Sequence, residues 1–196
     1  MKKENLRRIA EELIWYGGKS DDGRWQIFIT LDFDYTITCK GSWVSGKFVA
    51  NPHAFETLRK WSENYNCKYC LNTMRDESNV GSAVEFCNQN GLEFIGVGKN
   101  PYQDIEGGNT NKVWGVFDID DINACTKLVY PEGDGRPYVD WYAIDEELTP
   151  ILDMLAQLLP EMEEEVLETK RKVMENKPEL KDSVQTKCGV HAVKNN

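Results

Sequence analysis

No segment of this chain stays apolar over the roughly 20 residues that a membrane-spanning helix needs, so no helical membrane span is expected. The opening Met1-Lys2-Lys3-Glu4-Asn5 is basic at first, but no apolar stretch or cleavage site follows, and a cytoplasmic protein is the expectation. Basic charge is also in short supply. Against 33 acidic residues stand 23 basic ones, a formal net charge of -10. A surface of that sign repels phosphate backbones at long range, which argues against a nucleic-acid docking face. It also means that a phosphate-bearing ligand would need local help from a cation, a lysine or a helix N-terminus. Part of the acidic excess is local, at Glu161, Glu163, Glu164, Glu165 and Glu168. The six cysteines read as reduced thiols, since a chain this long builds a core without a disulfide framework. Cys67-Lys68-Tyr69-Cys70 lacks a second C-x-x-C, and strand alternation would turn its two thiols to opposite faces. Neither zinc nor redox chemistry is expected there.

What is present is an alternation of periods. Leu6, Ile9, Ala10, Leu13 and Ile14 recur at helical spacing over 3–16, and Gly17-Gly18 stops the run. Residues 25–31 are rich in β-branched and aromatic side chains and read as a strand leading into Asp32. A loop or small hairpin follows over 39–51, then a helix over 52–61 opened by Pro52. Strands are expected at 67–72, 94–97 and 116–119, with a helix at 78–90 closed by Gly91. Residues 126–130 are a candidate edge strand, 131–137 a turn and 146–159 an amphipathic helix. Beyond Pro160 a charged helix gives way, from about Asn176, to a polar tail whose composition predicts disorder. The pattern predicts an α/β domain with a Rossmann-like parallel sheet flanked by helices. It divides into an N-terminal helix and turn (1–23), the α/β domain (24–160) and the charged helix with its tail (161–196).

Parallel sheets bind ligands beyond the carboxyl ends of their strands. Asp32 and Asp34 stand at one such end and Asp120-Asp121 at another. Four carboxylates converging on one edge repel, and a hard divalent cation with oxygen ligands relieves them. Asn72-Thr73 closes a third strand with an amide and a hydroxyl, the latter able to donate to a phosphate oxygen.

The segment Asp32-Phe33-Asp34-Tyr35-Thr36 resembles the first motif, DxDxT, of the haloacid dehalogenase superfamily of phosphotransferases. Thr73 matches its second motif, Lys112 is the candidate for the third, and Asp120-Asp121 matches the fourth. The resemblance implies a magnesium-dependent phosphatase. Asp32 would be the nucleophile that forms an aspartyl-phosphate, and Asp34 the general acid and base. Thr73 and Lys112 would neutralise the phosphoryl group. Magnesium would sit on Asp32, the Asp34 carbonyl and Asp120, with Asp121 in support. Thr36, Asn72 and Arg75 are the candidates for substrate contact. The second aspartate separates a phosphatase from the dehalogenase branch, which lacks it. The span from Thr36 to Thr73 holds no cap domain, so the chain resembles the capless type.

Two departures stand out. Tyr35 replaces the usual Gly, so the turn after Asp34 is altered or the ring lines the pocket. Lys112 lies so close to Asp120 that extended chain would carry it roughly 23–26 Å away, to the wrong end of the sheet. A reversal near Gly115 would rescue the assignment, and Lys99 is its competitor. Trp43, Phe48 and His53 fall in the flap region, where packing is the plainer role. The expected partner is a small phosphate ester, a nucleotide for instance, with self-association left open. The alternatives are a non-catalytic binding protein on the same fold and a transferase between sugar phosphates.

Overall fold

The computed structural model describes residues 1–40, 47–102, 113–133 and 135–176. Its centre is a parallel sheet of four strands in the order β5-β4-β1-β6. These are β1 (Ile27–Leu31), β4 (Cys67–Leu71), β5 (Phe94–Val97) and β6 (Phe117–Ile119). Every residue of β1 is buried, as expected of a strand covered on both faces. Helices α1 (Lys3–Tyr16), α2 (Ala54–Tyr65), α3 (Glu77–Gln89) and α4 (Trp141–Asn176) flank the sheet. Two short antiparallel pairs complete the described structure: β2 (Thr38–Lys40) with β3 (Val49–Ala50), and β7 (Leu128–Val129) with β8 (Tyr138–Val139).

One buried cluster runs through the whole assembly. It joins Leu6, Ala10, Leu13 and Ile14 of α1 to Phe28, Ile29 and Leu31, and continues to Leu155, Met162 and Val166 of α4. Three expectations need correcting. The helix expected at 52–61 starts at Ala54, because His53 takes a left-handed conformation (φ 70°) that breaks helical geometry after Pro52. The candidate edge strand at 126–130 does not join the main sheet; Leu128 and Val129 pair with Val139 and Tyr138 instead. The helix expected to end at 159 begins at Trp141 and passes through both Pro150 and Pro160. Each proline removes an N–H donor and costs about 3 kcal/mol in a helix interior. Burial of Leu152, Leu155, Leu159, Met162 and Val166 along one face offsets that, at roughly 1.5–3 kcal/mol apiece. The polar tail, 177–196, with its Cys188, lies outside the described residues.

Register places the site. Leu31 pairs with both Leu71 and Ile119, and Leu71 pairs with Val97, so the four strands end in one row. The residues that follow that row are Asp32, Asn72, Gly98 and Asp120. Backbone bonds carry the alignment one step past the strands: Asp32 N–H donates to Ile119 O (3.0 Å), Asn72 N–H to Leu31 O (2.8 Å) and Gly98 N–H to Leu71 O (2.8 Å).

Candidate functional site

Asp32 leaves β1 into a wide turn over Phe33–Ile37, held at its exit where Thr38 N–H bonds to Phe33 O. Within the turn Asp34 is extended and Tyr35 is left-handed, at φ 60° and ψ 6°. That conformation favours glycine and costs another residue about 1–2 kcal/mol. Tyr35 therefore keeps the glycine-type turn rather than altering it. The surrounding bonds hold it there. Thr36 O accepts from Asn51 Nδ2 (2.9 Å) and from Trp141 Nε1 (2.8 Å), both buried contacts. Asn51 Nδ2 also donates to Val139 O (2.8 Å), so one amide ties the turn to β8.

One carboxylate oxygen from each of Asp32, Asp120 and Asp121 lies within 4.8 Å of the other two. Desolvation pushes Asp32 from the ordinary carboxylate value of 3.8 up to about 7, and the neighbouring charges of Asp120, Asp34 and Asp121 add to it. Asp121 is raised as well, first by burial, with Arg136 working against the rise. Thr36, fully buried, donates from Oγ1 to Asp32 Oδ2 (3.3 Å) and accepts from Asp121 N–H (3.1 Å). It thereby locks the first acidic segment to the second. Asp120 Oδ1 accepts from Ile122 N–H (2.9 Å), which fixes the loop after β6.

Asp34 stands apart from that cluster. Its carboxylate takes a two-pronged bond from Arg75, Nε to Oδ2 at 2.7 Å and Nη2 to Oδ1 at 2.6 Å. The Arg75 side chain is fully buried, with its guanidinium 4.9 Å from the ring centres of both Phe33 and Phe48. Phe48 thus packs, as the plainer reading has it; Trp43 lies outside the described residues. His53 stacks on Tyr142 at 4.3 Å and bonds to Glu56 and Asp145, a junction between α2 and α4. Cys67 and Cys70 are both buried on β4, and burial raises both thiols, Cys70 to about 12.

The predicted substrate contacts divide. Thr36 and Arg75 turn inward, onto Asp32 and Asp34, and support them. Asn72 is exposed at the end of β4, and Thr73 is half-buried beside it with Oγ1 accepting from Arg75 N–H (3.4 Å). Lys112 lies outside the described residues. Gly115, where a reversal would have to fall, packs closely against β1. A β-carbon there would sit 2.9 Å from Thr30 Cγ2, while the next N–H bonds to Phe28 O (2.8 Å). Lys99 is exposed in a tight turn after β5, so close that a β-carbon at Gly96 would meet Lys99 O at 2.0 Å. That turn is tied to the end of β4 by Gly98, so Lys99 stands on the same edge as Asn72 and Thr73.

No family model matches the chain, and no curated protein matches it either. A solved structure, a conserved protein from Bacteroides thetaiotaomicron, shares 27% identity over 64% of this chain and 91% of its own, with a TM-score of 0.48. A likeness at that level fixes neither fold nor function.

Sequence reasoning missed three residues. Asn51 and Trp141 clamp the turn from positions with no local signal of a role. Arg136, in what reads as a plain turn, donates from Nη2 to Asp121 Oδ2 (2.7 Å) and lies over the Tyr35 ring at 4.3 Å.

Proposed function

We propose that this protein is a magnesium-dependent phosphomonoester hydrolase of the haloacid dehalogenase type, with Asp32 as nucleophile. The observation that carries the reading is the gathering of one oxygen each from Asp32, Asp120 and Asp121 within 4.8 Å, one turn away from a second aspartate. The donor set fits a hard divalent cation: all-oxygen, strongly acidic and partly desolvated. Asp32, Asp120 and the Asp34 carbonyl would hold it, with Asp121 in support. When bound, magnesium supplies charge neutralisation at the phosphoryl oxygens.

The chain's own groups account for the rest. An Asp32 oxygen attacks phosphorus as the bond to the leaving oxygen breaks, giving an aspartyl-phosphate. Asp34 gives its proton to the departing oxygen, then takes one from the water that attacks the phosphorus and releases Asp32. Arg75 occupies one lone-pair direction on each Asp34 oxygen, which orients the carboxyl and leaves a second direction on each for proton transfer. Thr73 and a lysine, Lys99 or Lys112, would donate to the phosphoryl oxygens.

Hydrolysis of p-nitrophenyl phosphate by the pure protein, dependent on magnesium and lost in Asp32→Asn, is the expected result. Activity that survives chelator, or that survives Asp32→Asn at near wild-type rate, overturns the reading. Inactivity of the wild-type protein across a panel of phosphate esters would favour the non-catalytic alternative.

A further inference from the structure

Arg136 and Tyr35 do something that the acidic cluster does not require. A counter-charge for Asp121 needs only an ammonium or guanidinium nearby, and Arg136 supplies one at 2.7 Å. It is in addition laid over a tyrosine ring, 4.3 Å from the centroid, with half of its side chain exposed (51%). The tyrosine is partly exposed too, and it keeps a left-handed backbone in a position where glycine would carry no strain. Two planar groups, one above the other and both reaching solvent, thus stand at the turn that carries Asp34. A second observation concerns the same edge of the sheet. Met74, directly after Thr73, is 89% exposed, and Ile122, directly after Asp121, is 74% exposed. Each of these open apolar side chains is the chain neighbour of a residue at the site edge.

We infer that Tyr35 and Arg136 form a specificity platform, which receives a flat, apolar leaving group such as an aryl or nucleobase-bearing alcohol. The inference rests on the hydrolase reading for its reaction, though not for its binding test. Guanidinium planes and aromatic rings both stack on flat π-systems, whereas a lysine ammonium offers only a point charge. Polyols and sugars present hydroxyls and no such face, so they gain nothing from this surface.

Binding of two phosphonates that cannot be hydrolysed separates platform from chemistry. Titration calorimetry with magnesium present should find benzylphosphonate bound at least about 10-fold more tightly than methylphosphonate. In Arg136→Lys, which keeps a cation for Asp121, that ratio should fall several-fold toward one. In Tyr35→Gly it should fall as well. A purely structural role for Arg136 would weaken both phosphonates together and leave the ratio unchanged, and that result overturns the platform. Equal affinity in the wild-type protein, or no binding of either phosphonate, overturns it too. Preferential binding of benzylphosphonate by a protein that hydrolyses nothing would sink the hydrolase reading and leave the platform standing.

Discussion

A carboxyl group that holds its proton until about pH 7 destabilises the fold progressively from about pH 4 upward unless a cation takes the proton's place. Asp32 is such a group. Between about pH 4 and 7 the folded protein retains a proton that the unfolded chain has released, so metal-free stability falls as pH rises through that window. Asp32→Asn should remove this slope and raise metal-free stability at pH 8 by up to about 4 kcal/mol, measured by urea unfolding. Magnesium affinity of the wild-type protein should climb from pH 6 to 8, since binding displaces the proton, and calorimetry in buffers of different ionisation enthalpy would count it. A pH-independent affinity would contradict the assignment. Asp34 depends on a side-chain partner. Removing Arg75 leaves a carboxylate only 15% exposed without its guanidinium, so Arg75→Met should cost about 3 kcal/mol. Asp34→Asn strands the buried arginine and should also destabilise, while the double variant recovers part of the loss. Additive losses in that cycle would show that the two side chains do not depend on each other.

Among elements, the turn after β1 owes its shape to groups far away in the chain. Asn51 and Trp141 both donate to Thr36 O, so Asn51→Ala leaves buried carbonyls at Thr36 and Val139 short of a donor. A loss of about 1–3 kcal/mol is expected, with weaker magnesium binding because Thr36 also positions Asp32. Unchanged metal affinity in that variant would mean the clamp serves the fold alone. This division explains what the sequence made legible. Strand ends at Leu31, Val97 and Ile119, and one residue off at Leu71, could be read because mostly apolar segments give way there to polar or turn residues. The four aspartates and Thr73 followed from those ends. The Arg75–Asp34 and Arg136–Asp121 pairs join separate loops, and no periodicity connects them. The span of α4 across Pro160 was illegible for a related reason. Local preference opposes it, and only the apolar face packed on α1 outweighs that preference.

For the whole molecule, α1 and the distal half of α4 act as one lid on the core. Met162 and Val166 are buried there, Lys170 Nζ reaches Trp15 O, and Glu163 bonds both Lys19 and Trp25. A chain ending at Pro160 should therefore lose at least about 3 kcal/mol and expose the inner face of α1, read as a lower urea midpoint and dye binding. A chain ending at Asn176 retains every one of these contacts and should unfold like the full-length protein. Equal midpoints for all three chains would show that the distal helix is dispensable. The same pairing sets a timetable for biosynthesis. Roughly 145 residues separate the end of α1 from Met162, so at 5–20 residues per second the apolar side of α1 is on the order of 7–30 s old before its partner is translated. During that interval the nascent chain carries α1 without its α4 partner. A ribosome stalled before Met162 should display α1 to protease and to trigger-type chaperones, and one stalled late enough for α4 to emerge should not.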